Sequence, residues 1–407
     1  MKVYFMSTAL YEKLDFSRIF ESISKTSAVH DSERRHLREH IQTVADAGFT
    51  RLRVPRRFGG EGASLVESFG LLRNLAEADP NIPQILRAHF AFVEGLRQRG
   101  SEAQPWFDIV NDGKIFGAAM AEKSASTSIN TFLSKTPEGL RLNGRKYYST
   151  GTLYADWIIV WAAERNEAGK ETRLRILVPA HSEGVTRLDD WDGFGQRLTG
   201  SGTTIFDNVH IQPEWVLDRL SQDELPAHPF LATYYQHFHL VTLAGIAQAV
   251  LRDAIQFVRP RTRAFGIPGQ VIQRNDPIVQ NVVGRLASLA FSTRTLVDQI
   301  SRGLQSAEGF WDGGDLNHPV FERVQEEAFQ AQQIVIEQTL EATTLLFDVG
   351  GASATSETLG FDRHWRNARV LASHNPSLQR ARELGDLALN GTPLWSPYRQ
   401  ALRQNAA

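Results

Sequence analysis

The sequence predicts an α+β chain, mostly α, in which two helical parts flank a middle β barrel or sandwich. Three observations carry that expectation. Apolar residues recur at helical spacing up to about residue 113, alternate with polar ones from about 114 to 220, and return in long helical runs after that. Periods of 3.6 and of 2 bury different faces, so each change of period marks a boundary. We divide the chain into an N-terminal helical domain (1–113), a middle β domain (114–220) and a C-terminal helical bundle (221–407).

In the first domain, the segment from His36 to Gly48 places Leu37, Ile41, Val44 and Ala45 on one helix face, with Gly48 as the C-cap. Between Arg53 and Gly62 a proline and three glycines predict a turn. Helix resumes through Leu65–Ala78 and Ile85–Arg97. In the second domain, Asn143-Gly144 between two alternating runs predicts a two-residue hairpin. Trp157–Trp161, Leu174–Val178 and Thr203–Phe206 read as further strands. In the third, Phe238–Val258, Val279–Gly303 and Phe321–Phe347 read as long helices, and Gly309–Gly314 as a loose loop.

Composition removes several function classes. A chain of 407 residues with 42% hydrophobic and 22% charged residues supports a large core. Its formal net charge of -2 leaves no basic footprint for a nucleic acid. The absence of cysteine excludes disulfides, thiolate catalysis and Cys-ligated metals, and fits a reducing compartment. The first residues form no signal-like or membrane-spanning run, so the expected location is cytoplasmic, with no membrane partner.

Motifs narrow the field further. Gly59-Gly-Glu-Gly62 follows no strand and lacks the GxGxxG spacing, so it reads as a turn. The P-loop and the G-x-S-x-G elbow are absent. His36-Leu-Arg-Glu-His40 matches an inverted zincin motif, but it lies in a dense charge run, and a solvated helix face is the expected reading. No metal is expected. His237 and His239 are two apart on a helix and make a poor ligand pair, so this segment reads as core or pocket packing.

Taken in order, five stretches resemble the acyl-CoA dehydrogenase family. They are Val54–Gly62, Ala119–Thr127, Leu142–Gly151, Arg263–Pro268, and Val349-Gly-Gly351 followed by Asp362–Arg369. The resemblance covers nearly the whole chain. It implies the acyl-CoA dehydrogenase fold, ending in a four-helix bundle, with a flavin between the last two domains and a homotetramer. It also implies that Thr150 lies beside the flavin ring and that Arg263 reaches the flavin phosphates of a neighbouring subunit. The other reading of Thr150 is a strand residue that packs or meets solvent.

Dehydrogenation of an acyl-CoA needs a carboxylate base. Where many members have Glu, this chain has Asn375, and near Gly245, where others carry the base, there is no carboxylate. Gly360–Arg369, the following His374-Asn375-Pro376, and Asp189-Asp-Trp191 ahead of Arg197–Gly202 resemble instead the two-component flavin-dependent monooxygenases of the dibenzothiophene monooxygenase type. That branch takes FMNH2 from a separate flavin reductase, reacts it with O2 to a C4a-(hydro)peroxyflavin, and oxygenates a small apolar substrate. FAD is the other flavin the fold accepts.

Carried over position by position, the resemblance makes His374 and Asn375 active-site residues, with His374 near the flavin C4a as acid–base or donor. His89 falls where the branch has a pocket histidine, and Thr150 lies close to flavin N5. Trp191 packs on the ring, and Ser124 and Thr127 give polar contacts. The competing reading of His89 and of His374 is a core histidine with a backbone partner. Two departures stand out: a histidine three residues before His374 is Leu371 here, and the branch's Asp is Asn375. The rival functions are an acyl-CoA dehydrogenase with FAD and a displaced base, and a silent scaffold.

Overall fold

The structure, a computed structural model, describes residues 16–123, 130–166, 169–220, 228–262 and 272–394. The N-terminal part holds α1 (Phe16–Glu33), α2 (Arg38–Asp46), α3 (Leu65–Ala78), α4 (Asn81–Leu96) and α5 (Gln104–Asn111). Gly48 stands just past α2 with φ +86°, a conformation glycine adopts without strain. The start of α2 differs from expectation, because the chain breaks after α1 and His36 lies ahead of the helix. His36 and His40 therefore do not stack one turn apart: His40 bonds Thr26 (2.9 Å), while His36 faces Asp189 (3.3 Å). Among the described residues no group of three or more His, Asp or Glu is placed to hold a metal.

Among the described residues eight strands form one sheet: β1 (Phe116–Ala119), β2 (Phe132–Thr136), β3 (Gly139–Lys146), β4 (Trp157–Arg165), β5 (Glu171–Pro179), β6 (Val185–Arg187), β7 (Thr204–Ile211) and β8 (Val216–Leu220). Their order is β6-β7-β3-β2-β4-β5-β8, with β1 parallel to β4. Alternation sets the two faces. Ile158, Val160 and Ala162 of β4 join Leu174, Ile176, Phe206 and Val209 in the core of the β domain. Trp157 and Ile159 point the other way, against Phe92, Val93 and Phe107 of α4 and α5.

The hairpin lies elsewhere than the sequence suggests. Thr136 pairs with Gly139, so Pro137 and Glu138 make the β2–β3 turn. Asn143-Gly144 sits inside β3, where pairing with β7 shifts register. Asn-Gly suits a bulge as well as a hairpin turn, since both draw on unusual backbone angles. Gly144 has φ +151°, and a Cβ there would lie 2.5 Å from Thr131 Oγ1.

The C-terminal part holds α6 (Pro229–Val258), α7 (Pro277–Asp312), α8 (Val320–Leu345), α9 (Asp362–Ala372) and α10 (Ser377–Asn390). The loop expected at Gly309–Gly314 is mostly helix, because Trp311 stacks on Phe230 (4.9 Å) and anchors the last turn of α7. Helix α6 is long and apolar enough to cross a membrane, and two thirds of that span is buried inside the fold (67%). Phe69, Phe90, Phe238, Leu289 and Val335 belong to one hydrophobic cluster, so the N-terminal helices and the bundle share a core. The sheet docks on its side.

That shared core contains a charged knot. Arg53, 1% exposed, donates two hydrogen bonds to Glu94 (2.9 and 3.0 Å) and pairs with Glu308 of α7, which Arg97 also reaches. Removing one partner of a buried pair strands the other charge. Glu94→Ala is expected to cost about 3–5 kcal/mol of unfolding free energy in denaturant titration. The double variant Arg53→Met/Glu94→Leu should return most of it, and equal losses in both would refute the pairing account.

Candidate active site

The chain leaves β3 through a tight turn that presents Thr150. Thr150 lies beyond the strand, and its carbonyl accepts from Ala118 N–H (3.2 Å) while Gly151 N–H donates to Thr199 (3.0 Å). Gly151 has φ +80°, and a Cβ there would lie 2.6 Å from the Ile85 carbonyl of α4. Only glycine lets this turn press on that helix.

Thr150 Oγ1 shares a hydrogen bond with Ser201 (2.9 Å), and Ser201 another with Thr199 (2.7 Å). Thr199 Oγ1 donates to the Gln196 carbonyl (2.8 Å), which also accepts from Trp191 Nε1 (3.0 Å). A row of hydroxyls thus ties Thr150 to the Trp191 indole, which Tyr148 meets edge-on at 6.1 Å. This loop is pinned on two sides: Gln196 N–H donates to Asn367 of α9 (2.6 Å), and Leu198 N–H to Asn81 of α4 (3.3 Å).

Helix α9 leads to His374. Arg87 of α4 donates to His374 Nε2 (3.2 Å), and an arginine has no acceptor, so Nε2 carries no proton. His374 Nδ1–H therefore donates to Asn375 Oδ1 (3.2 Å). Asn375 Nδ2 donates to Gln236 of α6, whose oxygen also accepts from Arg380 of α10. The His239 ring lies 4.3 Å from that of His374. Burial first, then the Arg87 cation, push His374 down to about 4, against the Asn375 bond. His374 nonetheless keeps an exposed edge. With its pKa lowered to about 4, the imidazole is neutral at pH 7.

The structure brings together some expected residues and parts others. Thr150 and Trp191 share one hydrogen-bonded row, and His374 and Asn375 share another. His89 is fully buried; its Nε2–H donates to the Thr50 carbonyl (2.8 Å) and its Nδ1 accepts from Phe116 N–H (3.4 Å). Both nitrogens serve the backbone, and burial pushes this imidazole down to about 4, so His89 is a core histidine. Ser124, Thr127 and Arg263 lie outside the described residues. Leu371 is buried, and a second histidine, His239 of α6, lies beside His374.

The reading from sequence passed over Arg87 and His239. For Arg87 a signal existed: it is the one Asp, Glu, Lys or Arg between Pro80 and Val93, an otherwise apolar helix run. For His239 the sequence indicates core or pocket packing but not which neighbour it meets. His237 indeed turns away, to Ser301 (2.8 Å).

Comparison with known proteins agrees with this layout. Family models of the acyl-CoA dehydrogenase N-terminal, middle and C-terminal domains match residues 19–105, 117–209 and 239–377. The chain is 28% identical over 383 residues to the probable FMNH2-dependent monooxygenase SfnC of Pseudomonas putida, covering 90% of this chain and 92% of that one. It is 26% identical to a dibenzothiophene monooxygenase of Rhodococcus qingshengii over 85% of each. Among solved structures, methanesulfinate monooxygenase MsuC from Pseudomonas fluorescens superposes with a TM-score of 0.83 at 26% identity, covering 96% of this chain and 99% of that one. TdsC from Paenibacillus sp. A11-2, solved with FMN and indole, has the same TM-score at 24% identity, covering 95% and 100%.

Proposed function

The chain belongs to the acyl-CoA dehydrogenase family, and from that premise we propose that it is the oxygenase component of a two-component flavin-dependent monooxygenase. The observation that carries this reading is the Arg87–His374–Asn375 row, a neutral imidazole where a dehydrogenase needs a carboxylate. A base on α6 is no remedy, because a Cβ at Gly245 would lie 2.5 Å from Ala76 Cβ.

The residues present fit a flavin. Hydroxyls at Thr150 and Ser201 offer hydrogen bonds to a heteroaromatic rim, and Trp191 offers it an apolar wall. We assign Thr150 and Trp191 to holding the ring. Kinship with SfnC supports FMN over FAD. Reduced FMN, if held there by Thr150, Ser201 and Trp191, would supply the activation of O2, with the balance substrate + O2 + FMNH2 giving oxygenated substrate, water and FMN.

The chain's own residues hold and protect. His374, with Nε2 unprotonated, accepts a proton or orients a donor at that atom, and the Asn375–Gln236–Arg380 row fixes its ring plane. His239 and Tyr235 of α6 pack beside His374 and Arg87 and limit bulk water on that side. The substrate in this reading is small and largely apolar, aromatic, heterocyclic, or bearing sulfur or nitrogen. FMNH2 comes from a separate reductase, and the working assembly is a homotetramer in the cytoplasm.

Mixing the protein and anaerobically reduced FMN with O2 tests the reading. The expected result is a long-lived absorbance distinct from oxidised FMN. Oxidised flavin appearing as fast as it does without protein would sink it.

A further inference from the structure

Arg87 is a partly buried guanidinium with no carboxylate partner among the described residues. It donates to His374 Nε2 and lies 5.3 Å from the centre of the Tyr235 ring, while its buried Nε has no hydrogen-bond partner. Its neighbours do not balance the charge. His239 and His374 both feel Arg87 and Arg380 as repelling cations, and the one carboxylate bearing on this group is Glu383, which acts on Arg380. His239 Nε2 is also buried without a partner. The arginines buried most completely among the described residues are matched: Arg53 has Glu94 and Glu308, and Arg363 has Asp253. A guanidinium largely withdrawn from water without a counter-ion is destabilised, and such a site calls for an anion.

Resting on the oxygenase reading above, we propose that Arg87 seats an oxyanion head group of the substrate, so that the molecule oxygenated is a small apolar body carrying one sulfinate, sulfonate or carboxylate. Three features support it. An arginine fork matches such a head, two oxygens to two N–H groups. The Nε that completes a bidentate fork is the one left unpartnered. Arg87 also stands two residues beyond Ile85, whose carbonyl packs under the Thr150–Gly151 turn, so the seat lies on the helix that adjoins both the flavin-holding turn and His374. Seating an anion offsets the Arg87 repulsion, which after burial is the second cause holding the imidazole neutral, and so moves it towards protonation when substrate is present.

The shared chemistry is an oxyanion, and the flavin phosphate is its other source. Equilibrium binding separates them. Benzenesulfinate, benzoate and the neutral methyl phenyl sulfone are titrated against the full-length wild type and Arg87→Gln, with FMN and riboflavin in parallel and thermal melts of both proteins. We expect both anions to bind the wild type and to weaken about 10–100-fold in Arg87→Gln, the span of one charged hydrogen bond. The sulfone should bind weakly and equally to both, FMN affinity should not move, and the melting temperature should hold or rise as an unpaired buried charge is removed. Arg87→Lys should retain part of the anion affinity. The proposal is overturned if neither anion binds the wild type, if the variant binds them as well, or if the sulfone binds as tightly as the anions. It is equally overturned if FMN but not riboflavin weakens in the variant, which would give Arg87 to the flavin phosphate. None of these measurements needs turnover, so a failed oxygen-activation experiment leaves them readable, and the reverse holds too.

Discussion

Replacing His374 with alanine is expected to lower monooxygenation by about 10²–10⁴-fold, the usual contribution of a positioned general acid–base group. Among the described residues no other group is placed to substitute. Asn375 is an amide, Arg87 and Arg380 only donate, and His239 is held neutral well below the ordinary histidine range by burial and by His374, Arg87 and Arg380. FMN affinity should change little, since Thr150 and Trp191 are tied by a separate row. The pH profile gives a second check. With His374 at about 4, the free enzyme's kcat/KM should run flat through pH 6.5, where an unperturbed imidazole would titrate. Steady-state rates of the variant within a few-fold of wild type would remove His374 from the chemistry.

Acid should destabilise the fold steeply between pH 6.5 and 4. Three fully enclosed histidines are held neutral: His89 at about 4, His237 at about 3 and His364 at about 4, against an ordinary 6.5. Burial is the first cause in each; Arg363 and Arg252 also lower His364, while Asp253 opposes them. For each, the folded value lies below the unfolded one, so the unfolded chain takes up the extra proton. The contribution is complete above pH 6.5 and is lost as pH falls towards the folded values. A shift of this size corresponds to about 3 kcal/mol per group by pH 4. Three such losses are comparable with the whole stability of a typical domain, about 5–15 kcal/mol. Denaturant midpoints measured from pH 7 to 4 should fall continuously, and a flat series would refute the buried-neutral assignment. Loss of activity in acid should then follow unfolding by circular dichroism, not titration of His374.

Much of this architecture was legible in the chain because burial leaves a period. Trp157–Trp161 alternates since β4 has one face in the β core and one on α4 and α5. Phe238–Val258 reads as helix since α6 is packed on nearly every side. Local chemistry misled where one dipeptide serves two purposes. Asn143-Gly144 makes a bulge within β3, and only the pairing with β7 decides that. The site was half legible. Thr150, Trp191, His374 and Asn375 came from short stretches resembling a family, but contact between α4, α6 and α9 is not written in any stretch. His89 and Arg87 are two apart on α4 and so face different ways; Arg87 stands out as the one charged residue of its run, but only the fold shows that it reaches His374. In the structure His89 spends both ring nitrogens on backbone.

The core shared by the N-terminal helices and the bundle bears on how the chain is made. Phe69 and Phe90 leave the ribosome long before Phe238, which packs on both, and before Leu289 and Val335 of the same cluster. Until α6 emerges, α3 and α4 lack the apolar helix that packs on them. Domains generally fold as units during synthesis, but here the first unit to be made is among the last to be finished. Nascent chains stalled after residue 220 should therefore depend on chaperones, and fragments cut at the helical–β boundary should aggregate rather than assemble.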